Sequence, residues 1–149
     1  MTRWHDFAAA EPELARTVGD LLGSQKHMTV ATLRQDGSPR ISGTEARIED
    51  GELRLGMMAG SVKALDLLRD PRLALHSPAV DPPEGDPAGW VGDAKVAGRA
   101  VADTGPGDGS HEFRVDVTEV VVTKVGIPAD HLVITSWHPG RGVEVRRRY

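Results

Sequence analysis

The sequence predicts a mainly β (α+β) domain. Its expected architecture is an antiparallel barrel, closed or nearly closed, with a helix before it and a short helix inserted after the third strand. Three observations carry this reading. About eight short stretches place apolar residues with a period of two, or run as brief apolar blocks, which is strand patterning. Turn-rich breaks separate them, including Asp-Gly pairs at Asp36-Gly37 and Asp50-Gly51. Only two stretches have helical spacing. Many short strands favour a barrel over a sandwich, because closure removes exposed edges. A chain of 149 residues fits one domain, residues 1–149, able to bury a core without metal or disulfide support.

Residues 11 to 26 predict an amphipathic helix, with Pro12 near its first turn and Leu14, Val18, Leu21 and Leu22 at helical spacing; Trp4 and Phe7 pack ahead of it. From Met28 the period changes to two. Met28 to Leu33, Arg40 to Ile48 and Glu52 to Met57 form an antiparallel meander across the two Asp-Gly turns. A helix then follows Ser61. Val62, Leu65 and Leu68 mark its apolar face, and Asp70-Pro71 ends it, since the residue before proline is pushed out of helical geometry. Leu73 to His76 is a short buried strand, and Ser77 to Gly92 a long loop rich in Pro, Gly and Asp. Asp93 to Ala102 returns to strand composition, and Asp103 to Ser110 is another break. Glu112 to Val125 is the longest strand. Its valines change parity between Val117 and Val120, which calls for a bulge near Thr118 or burial of both faces. His131 to Trp137 and Gly142 to Arg147 form a last hairpin.

Composition narrows the chemistry. The chain has no cysteine, so disulfides, thiolate nucleophiles, Cys-ligated zinc and iron–sulfur clusters are excluded. No signal-like or spanning apolar run occurs, and a cytoplasmic protein without membrane attachment is expected. The net charge is −4, although Arg141 and Arg146 to Arg148 make the C-terminal hairpin basic. An acidic body argues against duplex nucleic acid, and an aromatic content of 4% against a stacking platform for single strands. The glycines at Gly51 and Gly56 have phosphate-loop spacing, but Met57 stands where that loop needs lysine. No dinucleotide fingerprint, serine elbow or His-Glu-x-x-His motif is present, and the six scattered histidines have no metal-ligand spacing.

One stretch does carry chemistry. In Gly56-Met-Met-Ala-Gly-Ser-Val-Lys63 a strand turns into a helix whose cap is Ser61 and whose first turn holds Val62 and Lys63. Unpaired N–H groups, a hydroxyl and an ammonium together suit a phosphate. A plain cap with a solvated lysine is the alternative reading of the same residues.

The order of these pieces resembles the split-barrel flavoproteins related to pyridoxamine 5′-phosphate oxidase, among them flavin- and deazaflavin-dependent reductases. The resemblance covers most of the chain. It rests on Thr29 to Leu33, on Asp36-Gly-Ser-Pro39 with Arg40 after it, on Leu53 to Met57, and above all on Ser61-Val-Lys63 to Asp70-Pro71. It implies that Ser61 and Lys63 hold a cofactor phosphate. Arg40 and Thr44 would contact the phosphate chain or ring edge, Met57 and Met58 would line the ring, and Trp137 and Arg141 would come from a partner subunit of a homodimer. The implied cofactor is FMN or the deazaflavin coenzyme F-420, and the implied activity is hydride transfer with a small unsaturated organic substrate. The basic run Arg146 to Arg148 would then favour the glutamyl tail of F-420. A non-catalytic flavin, deazaflavin or haem module is the alternative. Val62 stands where the vitamin oxidases have arginine, and Gly56-Met57 where they have a hydroxyl-bearing pair, so oxidase activity proper is disfavoured.

Overall fold

The computed structural model describes residues 1–149. Its elements are α1 (Trp4–Ala10), α2 (Pro12–Leu22), β1 (Met28–Leu33), β2 (Pro39–Glu49), β3 (Glu52–Met57), α3 (Val62–Arg69), β4 (Arg72–His76), β5 (Asp93–Asp103), β6 (His111–Val125), β7 (Leu132–His138) and β8 (Gly142–Arg148). The strands pair in the order β3-β2-β1-β4-β5-β6-β7-β8, and β3 also pairs with β6. Six strands therefore close into an antiparallel barrel, as the sequence predicts, while β7 and β8 continue outward from β6 as a ribbon. No helix is long and apolar enough to cross a membrane.

The long β6 creates the split. Its first residues, His111 to Arg114, pair with β3, whereas Val120 to Val125 pair with β7 on that same edge. Between the two, the Val117 N–H donates to the carbonyl of Thr2 at 2.7 Å. Against β5, Ala97 faces Glu119 and the next residue, Gly98, faces Val117. Thr118 is thus the extra residue of a bulge, where the valine pattern places it. Because of that phase shift, Phe113, Val115 and Val117 and then Val120 and Val122 all enter one core. The bulge brings backbones close together: a Cβ on Gly98 would lie 2.2 Å from the Asp116 carbonyl oxygen.

Three expectations need correction. The N-terminal helix is two helices, and the second ends at Leu22 rather than continuing to residue 26. Pro12 begins α2, and Glu11 before it sits at φ −136° and ψ 71°, outside helical geometry. Trp4 and Phe7 lie in α1 and are buried, with Phe7 against Trp137 at a ring separation of 4.8 Å. Trp137 is only 5% exposed, so its ring belongs to the core rather than to the outer surface from which the resemblance would have it reach a partner's cofactor. The apolar face predicted for α3 points the wrong way. Val62, Leu65 and Leu68 are about half exposed, while Ala64, Asp66 and Leu67 are buried. Asp66 explains the rotation. Its carboxylate accepts hydrogen bonds from Thr32 Oγ1 at 2.8 Å, Arg40 Nε at 2.8 Å and Arg69 at 2.9 Å, which fixes the docking face by charge.

Candidate functional site

Strand β3 runs through Met58, Ala59 and Gly60 into α3, and Gly60 takes φ +71° to make the turn. Ser61 caps the helix as predicted, its Oγ accepting from the Ala64 N–H at 3.3 Å. The N–H groups of Val62 and Lys63 open the helix with no intrahelical partner. Lys63 reaches β2, where its ammonium donates to the Gly43 carbonyl. That contact ties the helix start to the neighbouring strand and uses one of three donors.

Around this point lies a cleft of about 810 Å³. Gly43, Thr44, Glu45 and Arg47 of β2, Gly56 and Met57 of β3, Met58, Lys63, and His111 and Glu112 of β6 line it, with Lys26 and His27 from the segment after α2. Most of its charges are already paired. Arg47 bridges Glu49 at 2.8 Å and also binds Glu112. The hydrogen bond that Arg47 donates to Glu49 is the main reason why its guanidinium holds its proton more tightly than usual; partial burial opposes it and Glu112 adds to it. Glu45 faces His27 at 3.2 Å and Lys26 at 3.7 Å. Lys63 alone among the cleft's lysine and arginine side chains has no carboxylate within ion-pair distance. Thr44 is 3% exposed and its hydroxyl finds no hydrogen-bond partner. A lone buried hydroxyl costs free energy unless something binds it.

The predicted residues thus fall into two groups. Ser61 and Lys63 stand at the helix start, and Thr44, Met57, Met58 and Lys63 line the cleft. Met57 is 4% exposed and mainly core, whereas Met58 is 82% exposed on the cleft lip. Arg40 does not line the cleft, because Asp66 holds it. The side chain of Val62 is exposed and outside the lining, leaving its N–H as the group nearest the site. Arg141 is exposed in the β7–β8 turn, and Arg146 to Arg148 are exposed along β8; none lines the cleft. Sequence reasoning missed Lys26, His27, Arg47, His111 and Glu112, which only strand pairing brings together. A separate cavity of about 500 Å³ between α2 and the β6–β7 region contains none of the predicted residues.

No protein-family model matches the chain, and neither does any curated protein. Solved structures do match. A pyridoxamine 5′-phosphate oxidase-related, FMN-binding protein from Nostoc punctiforme aligns over 97% of this chain and 99% of its own, at 11% identity and a TM-score of 0.67. A heme-binding protein from Mycobacterium smegmatis aligns over 93% of this chain and 88% of its own, at 16% identity and a TM-score of 0.55. An F-420 reductase covers 68% of this chain and 93% of its own, at 17% identity and a TM-score of 0.52. At these identities the likeness establishes the fold, a split barrel of the pyridoxamine 5′-phosphate oxidase type.

Proposed function

We propose that this chain binds a flavin-type cofactor, FMN or deazaflavin F-420, in the cleft beside α3 and acts as a reductase on a small unsaturated organic substrate. The observation that carries the proposal is Lys63, the cleft cation without a carboxylate, standing beside the open N–H groups of Val62 and Lys63. A phosphate there would meet charge, helix dipole and direct donors together. The cofactor would supply hydride transfer. The protein's part is to anchor the phosphate through Lys63 and the first turn of α3, to present Met58 as an apolar lip, and to keep Glu45, Glu112 and Arg47 paired at the cleft walls.

A homodimer belongs to this reading. Ile41 is 75% exposed and Met58 82%, and a second copy would cover such apolar surface near the cleft while helping to exclude water. A cytoplasmic setting agrees with the cysteine-free chain. Titrating FMN and F-420 separately into cofactor-free protein tests the proposal, together with light scattering. Submicromolar to micromolar binding of one cofactor by a dimer is expected, and Lys63→Ala should weaken it by roughly ten- to a hundredfold. Unchanged affinity in that variant would remove the site assignment.

Haem binding without turnover is the second reading, favoured by His27 and His111 in the cleft and by the likeness to the mycobacterial heme-binding protein. A haem Soret shift on mixing, with no response to either flavin, would select it.

A further inference from the structure

Glycine inside a strand loses packing and costs conformational entropy, so each one calls for a physical reason. Gly98 has one: a Cβ there would lie 2.2 Å from the Asp116 carbonyl oxygen. Gly43 in β2 and Gly56 in β3 have none in the protein itself. A Cβ on Gly43 would meet nothing within 4 Å, and one on Gly56 would meet only the flexible ends of Glu112 and Arg47, at 3.4 and 3.8 Å. Neither has a positive φ that demands glycine. Both are exposed, and both line the cleft.

Their placement is specific. Glu45, two residues beyond Gly43 on the same face, is paired with Gly56 across the β2–β3 ladder. The two glycines are therefore diagonal neighbours on one face, about 7 to 8 Å apart. That separation is comparable with the long dimension of a fused tricyclic ring. Lys63 donates to the carbonyl of Gly43, which puts the phosphate locus at one end of this bare surface.

We propose that Gly43 and Gly56 form the floor of the cofactor cleft, a side-chain-free patch of backbone on which a planar tricyclic ring lies. The pair sets ligand class by shape: flat fused heterocycles fit, and bulkier or non-planar phosphates lose the contact. This rests on the cofactor reading above.

The test separates ring from phosphate. FMN and riboflavin are titrated into wild-type protein, Gly43→Val, Gly56→Val and Lys63→Ala, with F-420 and its phosphate-free deazaflavin core used instead if the protein selects deazaflavin. Each valine should weaken both ligands by at least tenfold and leave their affinity ratio as in wild type, because only the ring contact is lost. Lys63→Ala should do the reverse, collapsing the ratio while sparing riboflavin. Thermal midpoints of the valine variants should stay close to or above wild type, since a side chain meets open space at Gly43 and only flexible side-chain ends at Gly56; Gly43→Ala and Gly56→Ala give smaller losses if either valine fails to fold. Unchanged affinity in both the valine and the alanine variants overturns the floor and leaves the cofactor reading intact. A valine variant that loses the affinity ratio together with its thermal midpoint overturns it too, as general collapse of the site. Failure of wild-type protein to bind any of these ligands overturns both.

Discussion

Two sets of helices dock on the sheet, and they do so by opposite means. Helices α1 and α2 bury Trp4, Phe7, Val18 and Leu22, with Phe7 against Trp137 of β7. Helix α3 buries only Ala64 and Leu67 beside a carboxylate, Asp66, held by Thr32, Arg40 and Arg69. Its other apolar residues, Val62, Leu65 and Leu68, face outward. The apolar docking is indifferent to pH and screened little by salt, whereas the ionic one depends on the charge of a single side chain. Since α3 also carries Ser61 and Lys63, the candidate phosphate site inherits that dependence.

The sharpest way to break the contrast is at the apolar docking. Phe7→Ala is expected to cost about 3 to 5 kcal/mol of stability, because a fully buried ring leaves a cavity against two tryptophans. Denaturant unfolding reads the loss, and the molecules still folded should bind cofactor as wild type does. Asp66→Ala should cost less, about 1 to 3 kcal/mol, since Arg40 and Arg69 are partly wetted and can turn to water. Here cofactor affinity should fall along with stability. A variant that loses stability yet keeps full affinity would show that α3 presents Lys63 without the ionic anchor.

Acid should reveal the same asymmetry. Burial pushes the Asp66 carboxyl upward, but hydrogen bonds from Arg40, Thr32 and Arg69 outweigh it and hold the group below its usual value. A lowered carboxylate stabilises the fold fully above its unfolded pKa, near 4, and that contribution drains away as pH falls through the folded value. Wild type and Asp66→Asn should therefore differ most in stability above pH 4 and converge below it. Parallel curves down to the lowest pH at which wild type folds would contradict this. Asp70, lowered to about 2 chiefly by the hydrogen bond from Arg72, remains in both proteins and cancels in the comparison. The smallest effect belongs to the outer stripe of α3: Leu65→Ser with Leu68→Ser should shift monomer stability by no more than about 0.5 kcal/mol per site. If a second copy covers that stripe, light scattering should show the dimer weakening.

How far the sequence reaches follows from the range of each interaction. Asp36-Gly37 and Asp50-Gly51 are local signals, and the second has positive φ at both residues, the backbone that a tight hairpin requires. The valine phase of β6 is local as well, and it locates the Thr118 bulge. The face of α3 was not legible, because Val62, Leu65 and Leu68 form a sound helical stripe and only Thr32 and Arg40, far away in the chain, reveal that Asp66 faces inward. The ligand contact that the resemblance implies for Arg40 fails on the same long-range pairing with Asp66. In the site, Ser61 and Lys63 were readable from cap chemistry within one turn. The walls that His27, Arg47 and Glu112 build depend on strand register, which no single stretch encodes.

The ribbon attached to β6 also sets a timetable. β8 is paired on one edge only, and its residues after Gly142 are all exposed. β5 and β6, by contrast, lie inside the closed ring and pair along most of their length. Amide protons should therefore exchange in sequence, first along the outer edge of β8, then in β7, and last in the β5–β6 ladder, because the ribbon can peel away without opening the barrel. A ligand in the cleft should slow exchange near Gly43 and Lys63 and leave the ribbon's rate unchanged. A partner gripping the ribbon should do the opposite, so one exchange experiment separates a small-molecule contact from a protein contact.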